Sequence, residues 1–262
     1  MNITYKNPGY QHSVDSIMLF QTEGQTPFWS DLILHFYPQI DKKELVKRNV
    51  ADRKKYLESL FEEIYKSTKK ELENKAISYN EHFAKYKSQI DDALSDAFEI
   101  DASLIYNDLT GNITLNPVCP RFLKERYFDV FYKNSERGAL GLSLHEVIHY
   151  YWFHVWNKHF GDSYEEYDTP SLKWILSEMV VEAIMNDKRL SSINPYFPRE
   201  DGGCVYPYFL DMIIDGELIL DKLSLLYCNN RITDFMEASY AYCLKHEHAI
   251  RQHIMKAENS FK

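Results

Sequence analysis

Leu142-Ser143-Leu144-His145-Glu146-Val147-Ile148-His149-Tyr150-Tyr151-Trp152-Phe153 is the stretch from which the rest of the chain is best read. Its apolar residues extend back to Leu140 and predict a buried helix from about Gly138 to Lys158. Residues four apart share a helix face, so His145 and His149 can present both imidazoles to one ion. Glu146 follows His145 and points beside that ion, where a carboxylate can take a proton from an attacking water. Two neutral imidazoles and a carboxylate suit zinc and leave a fourth position open. The competing reading is a pair of hydrogen-bonded core histidines with an incidental glutamate. Polar groups in so apolar a helix need partners in either case.

A third ligand is expected downstream. Trp174-Ile175-Leu176-Ser177-Glu178-Met179-Val180-Val181-Glu182 lies in a second apolar helix, expected from Pro170 to Leu190 with Thr169 as N-cap and Pro170 at its first position. Glu178 and Glu182 are one turn apart, on a face shared with Trp174, Val181 and Met185. Carboxylates on such a stripe are costly unless a cation or donor pairs them. A metal ligand and a supporting partner would account for both.

His145-Glu146-x-x-His149 followed by Trp174-Ile175-Leu176-Ser177-Glu178 resembles the gluzincin class of zinc metallopeptidases, over roughly residues 101–190. The resemblance implies His145, His149 and Glu178 as ligands of one zinc per chain, and Glu146 as general base. It also implies Glu182 as the acid that orients the first histidine. A zincin-like core would further supply an edge strand for the substrate backbone, here Asn112 to Asn116. The metzincin alternative fails because His149 lacks the following glycine and third histidine at the required spacing. A donor for the transition-state oxyanion is also needed. The candidates are Tyr206, in Gly202-Gly203-Cys204-Val205-Tyr206-Pro207, together with His154, His159 and Arg199. Tyr206 is preferred because a Gly-Gly loop can approach a site closely.

Working outward, apolar residues from Leu57 to Tyr65 and from Phe83 to Phe98 recur at three- and four-residue spacing. Long antiparallel helices are expected between Asp41 and Ile100. Ser103–Tyr106 and Asn112–Leu115 read as a hairpin turned at Gly111. Further helices are expected over Phe122–Asn134, Tyr208–Ile214, Ile219–Cys228 and Ile232–Ala257, the last a polar helix whose His246 and His253 lie two turns apart on a solvated face, with His248 facing elsewhere. The expected class is mostly α with a small β-hairpin or sheet. It comprises an N-terminal helical region, residues 1–100, and a zincin-like metal-binding catalytic domain, residues 101–262.

The chain of 262 residues carries 39 acidic against 30 basic side chains, a net charge of −9, which argues against a nucleic-acid partner. No stretch approaches the length of apolar sequence that spans a membrane, and no secretory leader is recognised, so no membrane partner is expected. Cys119, Cys204, Cys228 and Cys243 form no CxxC pair, and a reduced, cytoplasmic setting is the simplest expectation. Together these readings predict a zinc-dependent hydrolase acting on a peptide or protein. The alternatives are a non-catalytic zinc-binding or protein-interaction module and a hydrolase of a non-peptide amide.

Overall fold

From Gln25 to Thr110 the chain has no glycine, and from Gln39 to Asn116 no proline. With nothing to break it, most of that stretch forms one helix. The computed structural model describes residues 1–21, 27–162, 169–195, 198–201, 203 and 205–260. In chain order the first elements are β1 (Ile3–Lys6), α1 (Tyr10–Met18), α2 (Pro27–Phe36), α3 (Lys42–Val46) and α4 (Val50–Phe98). Next come β2 (Leu109–Thr114), β3 (Arg121–Phe122), β4 (Tyr127–Phe131), α5 (Glu136–Phe160), α6 (Leu172–Met185) and α7 (Lys188–Ser191). The chain finishes with β5 (Ile213–Ile214), β6 (Glu217–Leu218), α8 (Ile219–Asn229) and α9 (Ile232–Ser260). The fold is mostly helical with a small sheet.

The antiparallel helices expected between Asp41 and Ile100 are instead the short α3 and the 49-residue α4. At ~1.5 Å per residue α4 runs about 74 Å. Asn49 caps its start by accepting from the Asp52 N–H, and Glu99, at φ 53°, ends it in the left-handed region. Of the expected stripe, Leu57, Phe61, Phe83, Ile90, Leu94 and Phe98 are buried and Leu60, Ile64, Tyr65 and Tyr86 are partly buried, but a stripe carries no information about where a chain reverses.

The four-stranded sheet has the order β1-β2-β4-β3. β1 and β2 are parallel, with Ile3 opposite Leu109 and Lys6 opposite Asn112. β2 and β4 are also parallel, and β3 and β4 form an antiparallel hairpin. This corrects three expectations. Ala102–Leu104 is a turn of 3₁₀ helix rather than the first strand of a hairpin. The expected helix over Phe122–Asn134 is mostly the β3–β4 hairpin, whose Tyr127-Phe128-Asp129-Val130-Phe131 has strong strand propensity. The strand expected at the substrate edge, β2, has neighbours on both sides, so the outer strand beside β4 is β3. Gly111 makes no turn. It lies within β2, where a Cβ would come within 2.6 Å of the Tyr5 ring.

Side chains of successive strand residues face opposite sides of the sheet. Asp129 faces α1, accepting from the Ser16 hydroxyl and lying 2.8 Å from His12 Nε2. On the other face lies α5: Tyr5 donates to Ser143 Oγ (2.7 Å), and the Tyr150 hydroxyl donates to the carbonyls of Phe122 and Tyr127. The first bond ties α5 to β1, and the Tyr150 bonds hold its middle against the β3–β4 hairpin. The N-terminal β1 is thus built into the sheet that supports α5, across the expected boundary at residue 100.

One helix boundary and one further helix also differ. Ser171, rather than Thr169, caps α6, accepting from the Trp174 N–H; Pro170 precedes the helix and the Thr169–Pro170 peptide is cis. The helix expected over Tyr208–Ile214 is a 3₁₀ turn at Pro207–Phe209 followed by the β5–β6 hairpin, turned at Asp215-Gly216. Asp-Gly is a strong hairpin signal, and here it outweighs the apolar spacing. α8 and α9 follow the expected spans closely.

Candidate metal centre

α5 begins at Ser135, whose side chain accepts from the Gly138 N–H, and ends at Gly161 in the left-handed region. Its middle is buried from Leu144 to Phe153, apart from a small exposed part of His145. α6 packs against it and is buried from Ile175 to Met185. Facing turns of these helices bring His145, His149 and Glu178 together, each offering a ligand atom within 4.8 Å of the others. Glu178 Oε2 lies 3.7 Å from His149 Nε2 and 3.9 Å from His145 Nε2. Among the described residues this is the only such group of three or more histidine, cysteine or acidic side chains.

The donor set fits a metal ion. His149 is fully buried, and neither of its ring nitrogens has a hydrogen-bond partner. A neutral imidazole has one donor and one acceptor, and each left unmet in a core costs about 1–3 kcal/mol. Burial, then the charge of Arg121 and then His145, hold the His149 pKa well below its ordinary value. Burial and Arg121 bring His145 down to about 3. Both rings are therefore neutral at pH 7, with lone pairs available to a cation. Zinc bonds of about 2.0–2.2 Å in a tetrahedral set place ligand atoms ~3.4 Å apart. The two glutamate–histidine separations need to close by only a few tenths of an ångström.

Glu146 is 5% exposed and sits next to the cluster. Sequence reasoning missed Arg121, on β3, because that segment read as the approach to a helix. Arg121 Nη2 donates to Glu178 Oε1 at 2.8 Å, and Nη1 lies 3.6 Å from Glu146 Oε2. The available signal was the β-prone Tyr127–Phe131 run, which makes Arg121–Phe122 its hairpin partner.

Tyr206 is brought to the same place. Its ring packs edge-on to Trp174 at 5.4 Å, one turn ahead of Glu178 on α6. Burial, then the charge of Glu178, with a smaller contribution from Glu146, raise its pKa well above the ordinary tyrosine value, so the phenol keeps its proton and can donate. Gly202 and Cys204 of its loop lie outside the described residues.

The other candidates go elsewhere. His154 packs beside Tyr106, and His159 pairs with Glu237 at 2.7 Å. Arg199 Nε donates to Glu182 Oε1 at 2.9 Å, and its Nη1 donates to Asp221. Glu182 therefore does not orient His145: one oxygen is taken by Arg199, and the other, Oε2, is buried without a hydrogen bond. On α9, His246 and His253 each lie 3.2 Å from an acid, Asp215 and Asp211 respectively.

Compared with known proteins, the chain matches no family model, no curated protein and no solved structure.

Proposed function

We propose that the protein is a zinc-dependent hydrolase acting on peptide bonds, with His145, His149 and Glu178 as the metal ligands. The observation that carries this reading is His149, a buried neutral imidazole with no hydrogen bond at either nitrogen, facing a glutamate and a second neutral histidine. Zinc held there would polarise a substrate carbonyl and acidify a water. Glu146 accepts the proton of that water and returns it to the departing amine, acting as base and then acid. Tyr206, a phenol that stays protonated, donates to the oxygen on which negative charge develops. The packed walls of α5 and α6 exclude bulk water around these groups, which strengthens each polar interaction.

A second reading is favoured by Arg121. Its guanidinium touches Glu178 and approaches Glu146, so the site's negative charge is partly compensated from within, as in a non-catalytic module. Hydrolysis of a diverse peptide library separates the two readings. The zinc-loaded wild type should cleave, and Glu146→Gln, with an isosteric but non-basic side chain, should be slower by about 10²–10⁴-fold with its metal content unchanged. Equal rates would remove Glu146 from the chemistry, and no cleavage by either protein would favour the module.

A further inference from the structure

We infer that Arg121 is the positioning residue of this centre: it fixes Glu178 as a one-oxygen ligand and is the built-in counter-ion of the two site carboxylates. The inference rests on the metal-site reading above and adds to it a residue that no part of that reading requires.

The two oxygens of Glu178 face different groups. Oε2 is the atom turned to both histidines, at 3.7 and 3.9 Å. Oε1 accepts from Arg121 Nη2 at 2.8 Å. A carboxylate anchored through one oxygen is held in one rotamer, with its other oxygen aimed at the ion position; groups that orient ligands in this way tune metal affinity. The same guanidinium reaches toward Glu146 through Nη1 at 3.6 Å, so one planar side chain spans ligand and base. Arginine suits this because its donors form a rigid fork, whereas lysine offers a single point charge.

The position of Arg121 is itself well fixed. It lies on β3, the outer strand, in register with Phe128 of β4. The carbonyl of the next residue, Phe122, accepts from Tyr150, one residue beyond His149 on α5. The strand that carries Arg121 and the helix that carries the histidines are thus bonded directly to one another. The side chain is 10% exposed, between two carboxylates that are 7% and 4% exposed. Without Arg121, Glu178 would lose the cation that its Oε1 accepts from in the core, a costly change for a buried charge.

The charge of Arg121 also repels a divalent cation, so positioning and repulsion push affinity in opposite directions. The proposal is that positioning dominates. Zinc affinity is measured by competition with a chelator of known affinity for the wild type, Arg121→Ala, Arg121→Lys and, as control, Arg126→Ala, whose arginine pairs with the exposed Asp108. Melting of each metal-free protein is recorded alongside. Arg121→Ala should bind zinc about 10–100-fold more weakly, melt lower without metal, and gain less stability than the wild type when the same excess of zinc is added. Arg121→Lys should recover the metal-free melting point in part while still binding more weakly than wild type. Arg126→Ala should match wild type in affinity.

Zinc binding by Arg121→Ala as tight as wild type, or tighter, overturns the assignment and leaves the metal centre standing. A wild type that binds no zinc overturns both. If Arg121→Ala does not fold, Arg121→Lys decides by the same affinity comparison.

Discussion

His149 and Glu182 show how much at this site depends on single atoms. The i, i+4 pair and the glutamates one turn apart were legible because helical spacing alone places them on common faces, and the structure brings His145, His149 and Glu178 together with Glu146 beside them. The role of Glu182 was not legible, because its partner, Arg199, lies across a loop whose path local spacing cannot give. The two glutamates should therefore separate cleanly. Glu178→Ala should lose most zinc affinity in chelator competition. Glu182→Ala should retain zinc near the wild-type level and melt lower, since it releases Arg199, which also ties Asp221 of α8 to this face. Weaker zinc retention in Glu182→Ala than in Glu178→Ala would reverse the assignment. The histidines also set a pH dependence in the metal-free protein. Both folded pKa values lie below the unfolded value of about 6.5, that of His145 at about 3, so below about pH 6.5 the unfolded chain binds protons that the folded chain does not. Stability is then lost as pH falls below about 6.5, by about 1.4 kcal/mol per pH unit for each histidine. Melting the metal-free protein between pH 7 and pH 5 should show this fall, and His145→Gln/His149→Gln should flatten it. An equal slope in the double variant would show that the histidines are not held neutral.

At the scale of elements, α5, α6, α8 and α9 were legible because long segments with apolar residues at helical spacing announce themselves, although Ser171 took the capping role assigned to Thr169. The sheet was not legible. Its pairings are parallel and distant, Ile3 with Leu109 for example, and a local period of two cannot choose among such partners. Its assembly depends on contacts from the long helix. Asn80, in the middle of α4, accepts from the Tyr5 N–H at 3.0 Å and donates to the Tyr5 carbonyl at 2.8 Å, so one amide pairs the outer edge of β1 as a neighbouring strand would. Asn80→Leu should leave both backbone groups of Tyr5 without these partners and destabilise the fold by about 1–3 kcal/mol in urea unfolding. Unchanged stability would mean that water replaces the amide at no cost. The consequence reaches the site, because Tyr5 also donates to Ser143, two residues before His145.

At the scale of the whole molecule, the sheet carries α1 on one face and α5 on the other, and α4 packs along β1 and α5. Among the described residues no helix is long and apolar enough to cross a membrane. The centre lies where α5, α6 and the outer strand β3 meet, and segments from residue 121 to residue 206 contribute to it. Each approaches for its own packing reasons: Tyr150 fastens α5 to the β3–β4 hairpin, α6 buries its apolar turns on α5, and Tyr206 packs on Trp174. Such a convergence of two neutral histidines and two carboxylates is physically economical only with a cation among them, and Arg121 supplies just one positive charge. Metal content therefore tests the account most directly. The protein should be purified without exposure to an affinity-tag metal, under conditions in which ordinary zinc enzymes keep their metal, and analysed for elements beside His149→Ala. The wild type should carry close to one equivalent of zinc per chain and the variant far less; less than about half an equivalent of any transition metal in the wild type, or equal metal in both proteins, would rule out the metal centre.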